Sequence, residues 1–242
     1  MKIVADTHTH TLASGHAYST IIENAHEASA KGIGAIAMTD HGPMMPGVSG
    51  LLHFRNLKAI PEYIYGVRII KGAEVNITDY DGGLDIPDEV LSRLEFRIAS
   101  LHDIIIRPGT SEENTSGLVN ALKNPYIDVV AHPGNPAFPV DIDKVVRTAA
   151  KYNKLIEINN SSFKTRRGCG ANCLEFVKKC KQYGVRIACG SDAHMCYDIG
   201  SFGRVLELLE EAEMPEELVI GTSILKIEEY LKERKASRPT IK

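Results

Sequence analysis

No stretch of the 242-residue sequence is apolar for long enough to cross a bilayer, which excludes a spanning helix. No leader segment is read ahead of the first apolar run, Ile3-Val4-Ala5, so a cytoplasmic location is expected. Lys and Arg never run beyond two in succession, and the net charge is −3. Without a basic stripe, nucleic acid is not expected as the main partner. The five cysteines (Cys169, Cys173, Cys180, Cys189 and Cys196) form no C-x-x-C pair. Reduced thiols are expected, and Cys169 with Cys173 lacks the second pair that a zinc site needs. There is also no internal repeat and no linker, so residues 1–242 are expected to form a single domain. With 43% hydrophobic and 24% charged residues, the chain has the means to bury a large core.

What is present is a regular strand–helix alternation. Apolar runs predict strands beginning at Ile3 and over 33–38, 67–73, 96–101, 127–131, 155–158 and 186–189. Between them, Thr20-Ile21-Ile22-Glu23 reads as a capping box for a helix closed by Gly32, and further helices are predicted over 51–59, 112–122, 142–152 and 172–183. Two more fall over 202–212 and 223–235, before a frayed tail from Ser237 to Lys242. A small hairpin is expected around Tyr80-Asp81-Gly82-Gly83. Seven strands alternating with helices imply a parallel sheet with right-handed crossovers, closed as a distorted α/β barrel.

The chemistry gathers at one end of that barrel. Asp6-Thr7-His8-Thr9-His10 follows the first strand, and residues two apart on a strand share a face about 7 Å apart. Two neutral imidazoles so placed make half of a transition-metal site. The same alternation groups Ile70, Gly72 and Glu74, then Ile98, Ser100 and His102, then Val130 and His132, while Asp192 and His194 repeat the spacing of two. His41 ends the second strand, and His16 lies in the loop after the first. Each of these positions is at or beyond a strand's C-terminal end, the rim that carries active sites in βα barrels. A single such histidine is more simply a satisfied core residue; seven of nine histidines at one rim are not.

Nine ligands (His8, His10, His16, His41, Glu74, His102, His132, Asp192, His194) exceed one metal's needs and suit two or three. Two carboxylates against three divalent ions leave about +4 of formal charge, which seeks a polyanionic group such as phosphate. Asp6 and Asp40 lie beside ligands and are candidates for orienting imidazoles; His26 reads as structural and Glu157 as a buried strand residue, not a ligand. His53, Arg55, Arg166 and Arg167 are candidate substrate contacts, although a solvated pair is the simpler reading of the last two.

The motifs D-T-H-T-H, T-D-H-G, G-A-E-V-N, H-P-G-N-P, E-I-N-N-S-S and G-S-D-A-H, in this order, resemble the PHP (polymerase and histidinol phosphatase) superfamily. The similarity runs from Met1 to about Leu231 and is closest to stand-alone bacterial phosphatases of the YcdX-like kind. It implies a distorted (βα)7 TIM-like barrel with three divalent ions, usually zinc, although His-rich carboxylate sites also accept manganese or iron. It assigns His8, His10, Glu74 and Asp192 to one metal, Glu74, His102 and His132 to a second, and His16, His41 and His194 to a third. It also implies a homo-oligomer, a trimer.

The expected activity is a phosphoesterase acting on small phosphomonoesters through a metal-bound hydroxide, with Glu74 and Asp192 central to catalysis. Asp40 or a metal-bound water is the candidate general acid. Two rivals are a phosphodiesterase or nuclease and a catalytically weak metal-binding module. An amidohydrolase-type enzyme also uses H-x-H, but would not need His16, His41 and His194 together.

Overall fold

Strand alternation sorts the apolar residues into two layers in the computed structural model, which describes residues 1–239. Seven parallel strands run β1 (Ala5–Thr9), β2 (Ala35–Met38), β4 (Val67–Asn76), β5 (Phe96–Ser100), β6 (Val129–Val130), β7 (Leu155–Asn159) and β8 (Ile187–Gly190) around a nearly closed barrel. A short β3 (Tyr63–Ile64) pairs antiparallel with β4. Ala5, Ala35, Ala37, Ala131 and Ala188 pack inside with Ile70, Phe96, Ile98, Val129 and Leu155. Small residues on several strands let so narrow a barrel fill without strain. Ile36, Ile69, Val75, Val130, Ile156 and Ile187 face outward onto the helices.

Those helices are α1 (Ile21–Ala30), α2 (Leu51–Asn56), α3 (Asp88–Leu91), α4 (Ser111–Lys123), α5 (Ile142–Lys151), α6 (Ser162–Thr165), α7 (Gly170–Tyr183), α8 (Gly203–Glu211) and α9 (Ile224–Ser237). The capping box at Thr20 and Glu23 opens α1, a second at Thr110 and Glu113 opens α4, and left-handed Gly184 ends α7. No helix among the described residues is long and apolar enough to cross a membrane. All five cysteines are buried and unbridged.

The seam between β8 and β1 decides where the site can form. At the C-terminal rim it is zipped: the Asp192 N–H donates to the His8 carbonyl at 2.9 Å, and the His10 N–H to the Ala193 carbonyl at 3.0 Å. A side chain at Gly190 would lie 2.5 Å from the His8 Cβ, so this approach needs glycine. At the opposite end Val219 bridges to Ile187, and Gly221 accepts the Val4 N–H, parting the strands. There α9 plugs the barrel with Ile227, Tyr230 and Leu231.

Four expectations need correction. β4 continues past Glu74 to Asn76, because Asn76 still pairs with Ser100 of β5; the hairpin beyond it is a single bridge between Ile77 and Leu84. β6 is only two residues long. The tail is not frayed where it is described: Ser237 ends α9, and Arg238 donates to the Leu94 carbonyl at 3.2 Å. Residues 240–242 lie outside the described residues.

Candidate metal centre

Alternation alone does not bring the histidines together. Ala5 packs inside the barrel, while Asp6 accepts the Ser191 and Gly200 amides and stays out of the cluster. The β1–β2 register is irregular between Asp6 and Thr9, and with that irregularity His8 and His10 turn inward. Val130 and His132 do not share a face as the spacing predicts, since Val130 packs outward. His132 reaches the centre through a positive φ of 32°, and Asp192 through one of 56°. Non-glycine residues adopt such angles only when their surroundings impose them, which is common at functional sites.

Glu74 lies at the middle of the result, fully buried. Its Oε2 is 2.7 Å from His41 Nδ1, 3.3 Å from His8 Nε2 and 3.5 Å from His10 Nε2. Its Oε1 is 3.0 Å from His132 Nε2 and 3.3 Å from His102 Nε2. Asp192 Oδ1 is 3.1 Å from His10 Nε2, and His194 Nε2 is 3.0 Å from His16 Nε2. All nine candidate ligands thus belong to one continuous cluster. Three sets within it bring their ligand atoms within 4.8 Å of one another: His8, His10 and Glu74; His10, His41 and His194; His41, Glu74 and His102.

The surrounding hydrogen bonds fix where the protons are. The Glu157 carboxylate accepts at 2.7 Å from His8 Nδ1. Ser14 gives its hydroxyl proton to Asp40 at 2.7 Å, so its oxygen must accept from His10 Nδ1 at 3.0 Å. Asn76 donates its amide to Asp85 and the Gly42 carbonyl, leaving its oxygen for His102 Nδ1 at 2.8 Å. His194 Nδ1 donates to the Asp192 backbone carbonyl at 3.0 Å. Four imidazoles therefore carry protons on their outer nitrogens and aim Nε2 lone pairs inward. His8 and His10 do so 3.1 Å apart. Lone pairs and carboxylates converging without protons between them need a cation. Glu74 Oε2 and His41 Nδ1 agree, being buried without a hydrogen-bond partner among the described residues. The donor set fits divalent transition metals.

Charges point the same way. Burial opposes ionisation of Glu74, but the surrounding imidazoles outweigh it and hold the carboxyl well below its usual range. Burial and neighbouring imidazoles bring His10 down to about 3, and burial with Arg166 brings His132 down to about 4, so both present neutral rings. His8 is the exception: burial disfavours its cation, yet Glu157, Glu74 and Asp192 raise it well above normal. The carboxylates around His8 thus favour positive charge at this corner.

Asp40 must be reassigned. It is 1% exposed and accepts from the Thr11 amide and hydroxyl and from Ser14. Burial alone would raise its pKa, but His53 and Ser14 bring it down to about 2, the wrong form for a general acid. It orients His10 through Ser14 instead. Arg166 is not a solvated side chain: it is 16% exposed and lies 3.5 Å from Asp192 Oδ2. His53 faces Asp40 and Arg55 pairs with Glu89, while Arg167 lines a second cavity with Arg166. Glu157 is a buried strand residue, as expected, but its bond to His8 is invisible in the sequence because 149 residues separate them.

A cavity of about 710 Å³ opens over the cluster, lined by His16, His41, Glu74, His102, Asp192 and His194, with Met45, Pro46 and Ile104 as an apolar wall and Arg166 as its cationic one. A profile of the PHP domain family matches residues 6–161. A protein of Acetivibrio thermocellus named "Probable phosphatase" is 60% identical over 97% of this chain and 98% of its own. One from Thermoanaerobacter sp. strain X514, with the same description, is 54% identical over 97% of both chains. Among solved structures, the histidinol phosphate phosphatase of Lactococcus lactis, complexed with zinc, L-histidinol and phosphate, is similar in fold. Its TM-score is 0.66 at 19% identity, covering 89% of this chain and 95% of that one. The profile match and the close relatives together place this chain in the PHP domain family.

Proposed function

We propose that this protein is a metal-dependent phosphatase that hydrolyses small phosphomonoesters at a cluster of three divalent ions. The carrying observation is the convergence of imidazole nitrogens on two buried carboxylates, with four of the rings hydrogen-bonded through their outer nitrogens. His8, His10, Glu74 and Asp192 would hold one ion, Glu74, His102 and His132 a second, and His16, His41 and His194 a third. Zinc suits imidazole-rich sites, and manganese or iron is also compatible. When bound, such ions lower the pKa of water and offset charge on phosphoryl oxygens. Phosphatase names among relatives over the full length support the reaction class.

The chain's own residues supply the rest. Arg166 faces the cavity from the α6 side and can hold a phosphoryl oxygen. Its guanidinium is kept in place by Ser162 Oγ at 3.1 Å and Asp192. Met45, Pro46 and Ile104 receive the organic part of a small ester and exclude water from one side.

The test uses p-nitrophenyl phosphate and a phosphodiester with the same leaving group. Chelation should abolish monoester hydrolysis, and added zinc or manganese should restore it. Undiminished turnover by protein shown to be metal-free would overturn the reading; faster turnover of the diester would reassign it to a phosphodiesterase.

A further inference from the structure

Glu157 is an unusual presence: a fully buried carboxylate on β7, with no Lys or Arg side chain within ion-pair distance among the described residues. Two of its three partners are candidate ligands, and the third also bonds one. Oε1 accepts from His8 Nδ1 at 2.7 Å, and Oε2 accepts the backbone N–H of His132 at 2.8 Å. Oε2 also receives Asn159 Nδ2 at 3.3 Å, and the same amide reaches Asp192 Oδ2 at 3.2 Å. One side chain is thereby tied to candidate ligands from β1, the loop after β6 and the loop after β8. His132 and Asp192 are the two ligands held at positive φ, so their positions need external support.

Resting on the metal reading above, we propose that Glu157 is the positioning residue of this centre, acting through His8 rather than touching substrate. It fixes the His8 tautomer with Nε2 free, adds negative charge behind that ring, and clamps the turn that delivers His132. Carboxylates behind ligating imidazoles raise their basicity, and losing such a partner typically costs about 10- to 100-fold in metal affinity. An amide cannot replace it. Both Glu157 oxygens accept, whereas glutamine offers one acceptor, so in either orientation an N–H faces the His8 or the His132 donor. Glu157→Asp keeps two acceptors and the charge but shortens the reach.

The experiment titrates wild type, Glu157→Gln and Glu157→Asp with zinc against a fluorescent chelator, and records ring-nitrogen NMR on zinc-loaded wild-type protein. Glu157→Gln should weaken one zinc about 10- to 100-fold, and Glu157→Asp should recover part of that loss. Wild-type His8 should carry its proton on Nδ1, a readout that does not depend on either variant folding. Equal zinc affinities in wild type and Glu157→Gln, or a His8 proton on Nε2, would overturn the proposal while leaving the metal centre intact. A wild-type protein that takes up no metal would instead overturn the reading beneath it.

Discussion

Five imidazole nitrogens lie within 3.5 Å of the Glu74 carboxylate, the densest gathering of candidate ligand atoms around one side chain of the site. Its replacement is therefore the sharpest single-residue test. On the proposed metal reading, Glu74→Gln keeps the volume, removes the carboxylate charge, and turns an N–H toward neighbouring ligand nitrogens. Metal content should drop by at least one ion per chain, and turnover of p-nitrophenyl phosphate should fall by more than about 100-fold, the scale of losing one preorganised electrostatic group. Elemental analysis beside steady-state kinetics measures both. Wild-type values for each would remove Glu74 from the centre. His16 and His194 occupy the opposite extreme, half-open to the cavity, and depend on each other at 3.0 Å more than on any carboxylate.

At the scale of elements, the sequence pattern carried most of the fold but only part of the site. Period-two alternation correctly groups Ile70 with Glu74 and Ile98 with His102, because β4 and β5 are regular up to or near those residues. It wrongly groups Val130 with His132, since β6 stops at Val130 and the positive φ of His132 then reverses the facing. It also misses the roles of Glu157, Ser14 and Asn76, whose partners are brought close by barrel closure rather than by sequence spacing.

The entry to β7 shows another feature that composition cannot reveal. Lys154, 4% exposed, donates to the Asn124 and Ile127 carbonyls. Burial, with Arg234 nearby, pushes its pKa down to about 7. The neutral amine keeps both N–H donors, so folding favours the deprotonated form. Between about pH 7 and its unfolded value near 10.4, the unfolded chain binds the extra proton, and stability rises with pH. Urea midpoints should therefore increase from pH 7 to 9.5 in the wild type, and Lys154→Met should flatten that rise. An unchanged slope in the variant would assign the effect elsewhere.

The whole molecule separates chemistry from its mechanical support. The cluster of candidate ligands sits at the strands' C-terminal rim, whereas α9 seals the opposite end through a buried ionic knot. Asp128, fully buried, takes Arg234 Nε at 2.8 Å and Arg97 Nη2 at 2.8 Å, with Arg238 at 3.3 Å. Tyr230 completes it by donating to the Asp128 carbonyl at 3.1 Å. One carboxylate thus serves three guanidinium groups that have left water. Removing a single partner from such a pair commonly costs about 3–5 kcal/mol, because the remaining charges stay buried. For a chain of this length, that corresponds to a fall in Tm on the order of 10 °C. Asp128→Asn keeps the shape and one acceptor, so the barrel should still assemble at low temperature. Well below its lowered Tm, the variant should bind as many metal ions as wild type and retain its kcat/KM, since no cluster residue touches Asp128. Calorimetry alongside elemental analysis checks the division. A variant that melts normally would show the knot to be dispensable, while one that loses metal without losing stability would show that the barrel's two ends are coupled.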